Sequence, residues 1–387
     1  MIELRKDFLP FCLPDITEAE IDEVVQTLKS GWLAKGPRTI EFEKQFCQYV
    51  GSKYAIGVNS CTSALHIALL AAGIKQGDEV ITSPMTFAAS ANTIIHVGAT
   101  PVFVDIDERD GCIDASLIEK KITSKTKAIV PVHYAGQACD LDTIYALAEK
   151  YGLFVSEDAA HAIHTQYNGR MIGNSSPGAV SYSFYATKNL STGEGGILTT
   201  DNEEIAKCAR MLVTHGMDHN AWNRYVDGGS WMYDIVEPGY KYNMFDLQAA
   251  LGLIQLKRLE SMQSRREEIV RIYNEGLKDI EGLTIPQTNA YTTTNAWHLY
   301  MIRVDESKIG KSRNRLIDEI NSRNIGTSVH FIPVHYMSAY KKLFGFEKGD
   351  YPKTESWFDR IISLPLYTVM SNQDAYDVVE AVRDSII

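Results

Sequence analysis

Between residues 54 and 156, short apolar runs alternate with stretches of helical periodicity, and this alternation limits the possible folds more than any other feature of the chain. Residues 54–58, 79–82, 101–104, 128–132 and 153–156 read as strands. Helical patterns fill 62–72, 87–97 and 141–151. Strands that are apolar along their whole length, and separated by helices, belong in a mostly parallel sheet covered by helices on both faces. The predicted class is therefore α/β.

The flanks follow other patterns. Thr17-Glu18-Ala19-Glu20 is a capping box that opens a helix, and Gly31 is its expected stop. A second helix is predicted over 38–50. Past residue 180 the spacing tightens, and 180–184 and 196–199 read as strands with no long helix between them. A long helix is predicted over 245–277, broken near Gly252. A strand at 297–304, a helix at 313–323, a strand at 327–329 and a final helix at 373–382 suggest a smaller α+β unit. A chain of 387 residues is long for one core. The expected division is a large domain over 15–250 and a small C-terminal α+β domain over 251–387, joined by 1–14.

Charge and cysteine usage exclude several function classes. Lys plus Arg number 38 against 49 Asp plus Glu, a balance of −11 that argues against nucleic-acid or anionic-membrane partners. The six cysteines (Cys12, Cys47, Cys61, Cys112, Cys139 and Cys208) form no Cys-x-x-Cys, so no metal site is expected. The N-terminal residues carry no long apolar run, and a cytoplasmic protein with free thiols is expected.

The chemistry centres on Lys188, in Ser183-Phe184-Tyr185-Ala186-Thr187-Lys188-Asn189, and on Glu157-Asp158-Ala159-Ala160-His161 upstream. A lysine amine can form a Schiff base with the aldehyde of pyridoxal phosphate (PLP). An acid at the carboxyl end of a sheet strand can keep the cofactor's pyridine nitrogen protonated. Asn59-Ser60-Cys61-Thr62-Ser63-Ala64-Leu65 follows a strand and opens a helix, where unpaired N–H groups and the hydroxyls of Thr62 and Ser63 suit a phosphate. Taken singly, this is an ordinary N-cap, Asp158 an ordinary capping acid, and His161 a structural histidine. Phe87 can stack on the pyridine face or belong to the core. Ser183 can donate to a phosphate or be a polar strand residue. The order of cap, aromatic, acid and lysine within one alternating segment favours PLP. Neither G-x-G-x-x-G, a Walker lysine nor G-x-S-x-G is present.

Nearly the whole chain resembles the sugar aminotransferases of the DegT/DnrJ/EryC1/StrS type, PLP enzymes of fold type I. The resemblance rests on the segments above together with Ser30-Gly31-Trp32-Leu33-Ala34-Lys35-Gly36-Pro37, Gly193-Glu194-Gly195-Gly196, Gly239-Tyr240-Lys241-Tyr242-Asn243-Met244 and His330-Phe331-Ile332-Pro333-Val334-His335. It implies that Lys188 is the Schiff-base lysine and proton shuttle, and that Asp158 holds the pyridine nitrogen. His161 would sit near the ring and Phe87 would stack on it. Thr62, Ser63 and Ser183 would bind the phosphate, and Asn243 would reach the phosphate of a neighbouring subunit in a homodimer with shared sites. The loop from Gly31 through Lys35, and His330, would lie near a nucleotide-sugar substrate, with glutamate as the amino donor. Two departures stand out: Cys61 where many relatives have Gly, and Lys241-Tyr242-Asn243 where others read Asn-Tyr-Arg. Val213-Thr214-His215-Gly216-Met217 and the segment from Trp231 to Asn243 resemble enzymes that aminate carbon 4 of UDP-linked sugars, for amino-sugar and polysaccharide biosynthesis. The alternatives are a PLP-dependent sugar dehydratase, which carries His in place of the lysine, a carbon-3 aminotransferase of dTDP-sugars, and a non-catalytic sensor.

Overall fold

A computed structural model describes residues 5–217 and 232–386. Trp231 and the first four residues, named in the sequence reading, lie outside the described residues. In chain order the strands are β1 (Tyr54–Val58), β2 (Glu79–Thr82), β3 (Thr100–Phe103), β4 (Thr126–Val130), β5 (Phe154–Asp158), β6 (Gln166–Tyr167), β7 (Arg170–Met171), β8 (Ala179–Ser183), β9 (Gly196–Thr200), β10 (Leu283–Thr284), β11 (Thr292–Thr294), β12 (Tyr300–Val304) and β13 (Ile361–Leu364).

The main sheet has the order β1-β9-β8-β5-β4-β2-β3. Its parallel pairs are β5 with β8, β4 with β5, β2 with β4 and β2 with β3. Only β9 runs against its neighbours. The link between β8 and β9 contains no helix to carry a crossover, as an antiparallel partner allows. Side-chain alternation feeds two apolar layers. Ile81, Ile129, Val180, Tyr182 and Ile197 face Phe42, Phe46, Leu253 and Leu256. Val80, Ala128 and Val130 face Leu65, Leu69 and Ile94, and Leu198 packs near Ile67. The class is the α/β arrangement predicted.

A second sheet has the order β10-β12-β13 and is antiparallel. Tyr300, Ile302, Ile362 and Leu364 build its core with Leu9, Ile269, Tyr273, Val378 and Val382. The helix Asp246–Leu277 spans both cores. Leu253, Leu256 and Leu259 pack on the main sheet, while Ile269, Tyr273 and Leu277 pack on the second. At 1.5 Å per residue, its 32 residues reach about 48 Å. The proposed boundary at residue 250 thus falls inside one continuous helix.

Four local expectations are corrected. The long helix is unbroken at Gly252, where an added Cβ would lie 2.8 Å from the Phe42 ring; the glycine is there for a close helix approach. Residues 327–329 form no strand and make only an isolated bridge, Ser328 to Ser363. The strand predicted at 297–304 begins at Tyr300, because Trp297 has φ 47° in the left-handed region. β5 continues to Asp158, since Ser156, Glu157 and Asp158 pair in register with Ala179, Val180 and Ser181. Pairing therefore extends the strand through two acids that end the apolar run.

One long-range contact organises the approach to the main sheet. The helix Pro37–Val50 begins after Gly36, which has no side chain to cap it. The buried carboxylate of Asp246 takes that role: Oδ1 accepts from Gly36 N–H (2.8 Å), Thr39 N–H (3.0 Å) and Thr39 Oγ1 (2.7 Å), and Oδ2 from Arg38 N–H (3.1 Å). Asp246 N–H in turn donates to the carbonyls of Leu33 and Ala34, both at 3.2 Å. Asp246→Ala would leave several buried donors without an acceptor. It is expected to lower the unfolding free energy by about 2–4 kcal/mol. Urea denaturation followed by circular dichroism measures this, and an unchanged midpoint would show that another group caps this helix.

Candidate active site

Parallel strands present their carboxyl ends on one edge of a sheet, and ligands of open α/β folds bind there. Here that edge delivers Ser60 to Thr62 after β1, Thr86 and Phe87 after β2, Val132 after β4, Asp158 to His161 at the end of β5, and Ser183 to Lys188 at the end of β8. His298, His330 and Phe331 close the other side. The cavity, of about 520 Å³, matches the size of a small-molecule site.

Lys188 sits in a turn held by its own N–H to Tyr185 O, 2.8 Å. Its Nζ is 3.4 Å from His298 Nε2. Burial pushes the amine down from 10.5 to about 8, against the opposing pull of Cys61, Asp158 and Cys12. The His161 and His298 rings lie 4.3 Å apart between centroids, tilted by 42°. Burial, reinforced by the Lys188 charge, holds both imidazoles well below their usual range, so both are neutral at pH 7. His330, 2.9 Å from Ser363 Oγ through Nδ1, is pushed down to about 4 by the same causes.

Asp158 is buried and heavily bonded. Oδ2 accepts from Ser90 Oγ at 2.6 Å, and Oδ1 from Ala160 N–H at 3.0 Å. Cys61 Sγ lies 4.0 Å from Oδ1. The helix Cys61–Ala71 starts beside this acid, capped by Ser60, whose Oγ accepts from Ser63 N–H at 3.1 Å. Its start presses on the beginning of β9. A Cβ on Gly196 would stand 2.6 Å from Cys61 N and from Ser60 C, which explains the glycine there. No acceptor for the N–H groups of Cys61 and Thr62 is found among the described residues, and both residues line the cavity.

The structure brings together Lys188, Asp158, His161, Thr62, Phe87, Ser183 and His330. Phe87 is 64% exposed, which excludes a core role, and its ring lies 5.9 Å from Phe331. Ser63 is adjacent, but its hydroxyl donates to Asn59 Oδ1 at 2.6 Å. Asn243 forms a bridge with Val58 and donates through Nδ2 to Met244 O, 3.0 Å, leaving its buried Oδ1 without a partner. Gly31 and Lys35 are not brought to the cavity of their own chain. Gly31 ends a helix with φ 73°, and Lys35 Nζ pairs with Glu43 at 3.2 Å beside a separate groove. Sequence reasoning missed Ser90 and His298. Each stands alone in an apolar context, and only the packing aims them inward.

These residues fit a bound PLP. The unpartnered N–H groups at the helix start suit a phosphate, and the buried carboxylate suits a ring N–H. The desolvated amine suits an aldehyde. No group of three or more metal-ligating side chains occurs among the described residues. No described helix is long and apolar enough to cross a membrane.

Comparison with known proteins gives the same picture. The model of the DegT/DnrJ/EryC1/StrS aminotransferase family matches residues 14–383. The spore coat polysaccharide biosynthesis protein SpsC of Bacillus subtilis (strain 168) is 56% identical over 387 residues, which is 100% of this chain and 99% of that protein. The putative sugar aminotransferase Spr1654 from Streptococcus pneumoniae superposes in its PMP form with TM-score 0.91 at 38% identity, covering 97% of this chain and 98% of that one. Its PLP form gives TM-score 0.90 at 38% identity, covering 98% of each.

A prediction concerns the amine. A lowered folded-state value means that Lys188 is largely uncharged above pH 8, where ordinary lysines remain protonated. In full-length protein freed of cofactor, the rate of PLP capture at Lys188 should rise about tenfold per pH unit below its midpoint and level off above it. Borohydride fixation with peptide mass mapping reads both site and rate. Label on another lysine, or a midpoint near 10.5, would refute the assignment.

Proposed function

The chain belongs to the DegT/DnrJ/EryC1/StrS aminotransferase family, PLP-dependent enzymes, and from that premise we propose that it transfers an amino group from glutamate to carbon 4 of a UDP-linked 4-keto sugar. The observation that carries the amino-transfer reading is the desolvated Lys188 amine in one cavity with the buried Asp158 carboxylate. The likeness to SpsC, named for spore coat polysaccharide biosynthesis, supports an amino sugar destined for a polysaccharide.

Bound PLP supplies an aldehyde that carries the amino group and a ring that accepts an electron pair. The chain's own residues supply positioning and protons. The start of the helix Cys61–Ala71, with Thr62 and Ser183, binds the phosphate. Asp158, fixed by Ser90 and Ala160 N–H, accepts the ring N–H and keeps that proton in place. His161 receives Ala135 N–H at Nδ1, 3.2 Å, so its own proton sits on Nε2, where it can donate. Lys188 Nζ takes a proton from the donor's carbon and returns one to the sugar carbon. Serving as anchor and base is consistent for one lysine, because the anchor is released in each half-reaction.

The working unit in this reading is a homodimer with shared sites. Among the described residues lining the cavity, Lys188 is the one cation, so a sugar-bound diphosphate needs further donors. Asn243, Gly31 and Lys35 lie outside their own chain's cavity and would serve the neighbour's. The loop at 31–36 would act through backbone N–H groups as well as through Lys35.

Two measurements test this. Competition among UDP-4-keto, dTDP-3-keto and GDP-4-keto sugars with glutamate should give the highest kcat/KM to the first. Preference for a 3-keto sugar would overturn the carbon assignment, and preference for another nucleotide would overturn the UDP assignment alone. Lys188→Ala and Asn243→Asp should each be weak, and mixing them with subunit exchange should restore up to about one quarter of wild-type activity. No recovery after demonstrated exchange would count against shared sites.

A further inference from the structure

The polar contacts around Lys188 have a fixed direction. Asn189 Nδ2 donates to Ala296 O at 2.6 Å. A carbonyl oxygen only accepts, so this contact fixes which end of the amide is nitrogen and aims Asn189 Oδ1 the other way. Oδ1 meets His298 Nδ1 at 3.1 Å. Because that oxygen also only accepts, His298 must carry its proton on Nδ1. The neutral ring then has a bare Nε2, and this atom faces Lys188 Nζ at 3.4 Å. His161, its ring tilted against that of His298, is in the opposite tautomer, with Nδ1 accepting Ala135 N–H.

We propose that His298 is a positioning residue for the Lys188 amine: locked by Asn189 with its proton on Nδ1, it presents Nε2 as the acceptor that orients Nζ and steadies its ammonium form. The proposal rests on reading Lys188 as the reacting amine. An acceptor at this point serves two ends. It holds the released lysine in one place rather than letting it sweep the cavity. It also keeps the amine protonated enough to return a proton, which a wholly apolar wall would not. Near-neutral function needs a lysine that both accepts and donates, and a neutral acceptor moderates the desolvation imposed by the cavity.

Other groups act on the same amine. Asp158 from the end of β5, Cys61 from the helix start, Cys12 from the N-terminal segment, and His161 and His330 act electrostatically with it, and the Arg266 charge acts on His298. Among the described residues, His298 alone places a polar atom within hydrogen-bond reach of Nζ. The Asn189–His298 pair is also separable from the Asp158 network, which is tied to Ser90 and Ala160 instead.

The test is the pH dependence of reductive methylation of Lys188 in the full-length protein freed of PLP, read by peptide mass spectrometry. Formaldehyde with cyanoborohydride labels the uncharged amine, so the midpoint reports its protonation without requiring turnover. Wild type should show a midpoint near 8. His298→Leu should lower it by about one unit, the worth of a hydrogen bond to a charged donor. His298→Gln, which restores an acceptor, should stay near wild type. Asn189→Leu frees the ring to change tautomer and should shift the midpoint the same way by less, and it carries the test if His298→Leu does not fold. The Asn189→Leu/His298→Leu double variant should match His298→Leu alone, because Asn189 acts through the ring. A midpoint unmoved in folded His298→Leu, or in Asn189→Leu where only that variant folds, would overturn the proposal and leave His298 a packing residue. Borohydride fixation of PLP in the same variants separates the two readings. Label elsewhere than Lys188 sinks the functional reading, whereas label on Lys188 with an unmoved midpoint sinks this one alone.

Discussion

A lysine amine is a nucleophile near neutral pH only where its charged form is destabilised, and the desolvation of Lys188 is the constraint on which the rest of this site depends. The cavity must be dry enough to lower the amine to about 8, yet keep Asp158 nearby as a compensating acid. The main sheet makes this possible. Its parallel strands bring Asp158, Lys188 and the capped helix start to one edge from positions far apart in sequence. The second sheet and its loops supply His298, His330 and Phe331 as the closing wall. Without that wall the amine would be hydrated and behave as an ordinary lysine.

The long helix Asp246–Leu277 ties the two halves of this arrangement together. Its first residue caps another helix through the Asp246 carboxylate, and its length carries it across both apolar cores. The segment 31–36 is thereby held in place by a residue more than two hundred positions away. The same few hydrogen bonds fix both this segment and the start of the helix Pro37–Val50, so residues that look like a substrate loop also do structural work. Lys35 shows this directly: its ammonium is already paired with Glu43, which also accepts from Gly57 N–H at 2.9 Å and from Arg210 at 2.9 Å.

Much of the main sheet was legible because its strands are buried on both faces and leave continuous apolar runs. β1 and β2 fall on the residues predicted, as does the helix Leu141–Tyr151. The second sheet was harder. β13 is four residues long and follows the helix Pro352–Arg360 with no turn between, so no local signal separates them. Residues 327–329 have strand-like composition but only one bridging partner, and pairing rather than composition makes a strand. At Gly252 a residue that usually weakens helices is retained because a ring from another helix occupies the space a side chain would need.

The site divides along the same line. Lys188, Asp158 and the Ser60 cap stand out in the sequence because their chemistry is local: an acid closing a strand, hydroxyls opening a helix, a lysine after a Ser-rich strand. Ser90 and His298 do not, since a lone serine in a helix or a lone histidine before a strand has many ordinary uses. The chain by itself therefore determined the α/β class and the kind of cofactor and singled out the candidate reactive residues, because periodicity and residue chemistry are written along it. Tertiary structure alone decided which side chains surround the amine, which way Asn189 turns the His298 ring, and that Lys35 pairs with Glu43 away from the cavity of its own chain. Those outcomes depend on distances between elements remote in sequence, and on desolvation that exists only once the two cores have closed around Lys188.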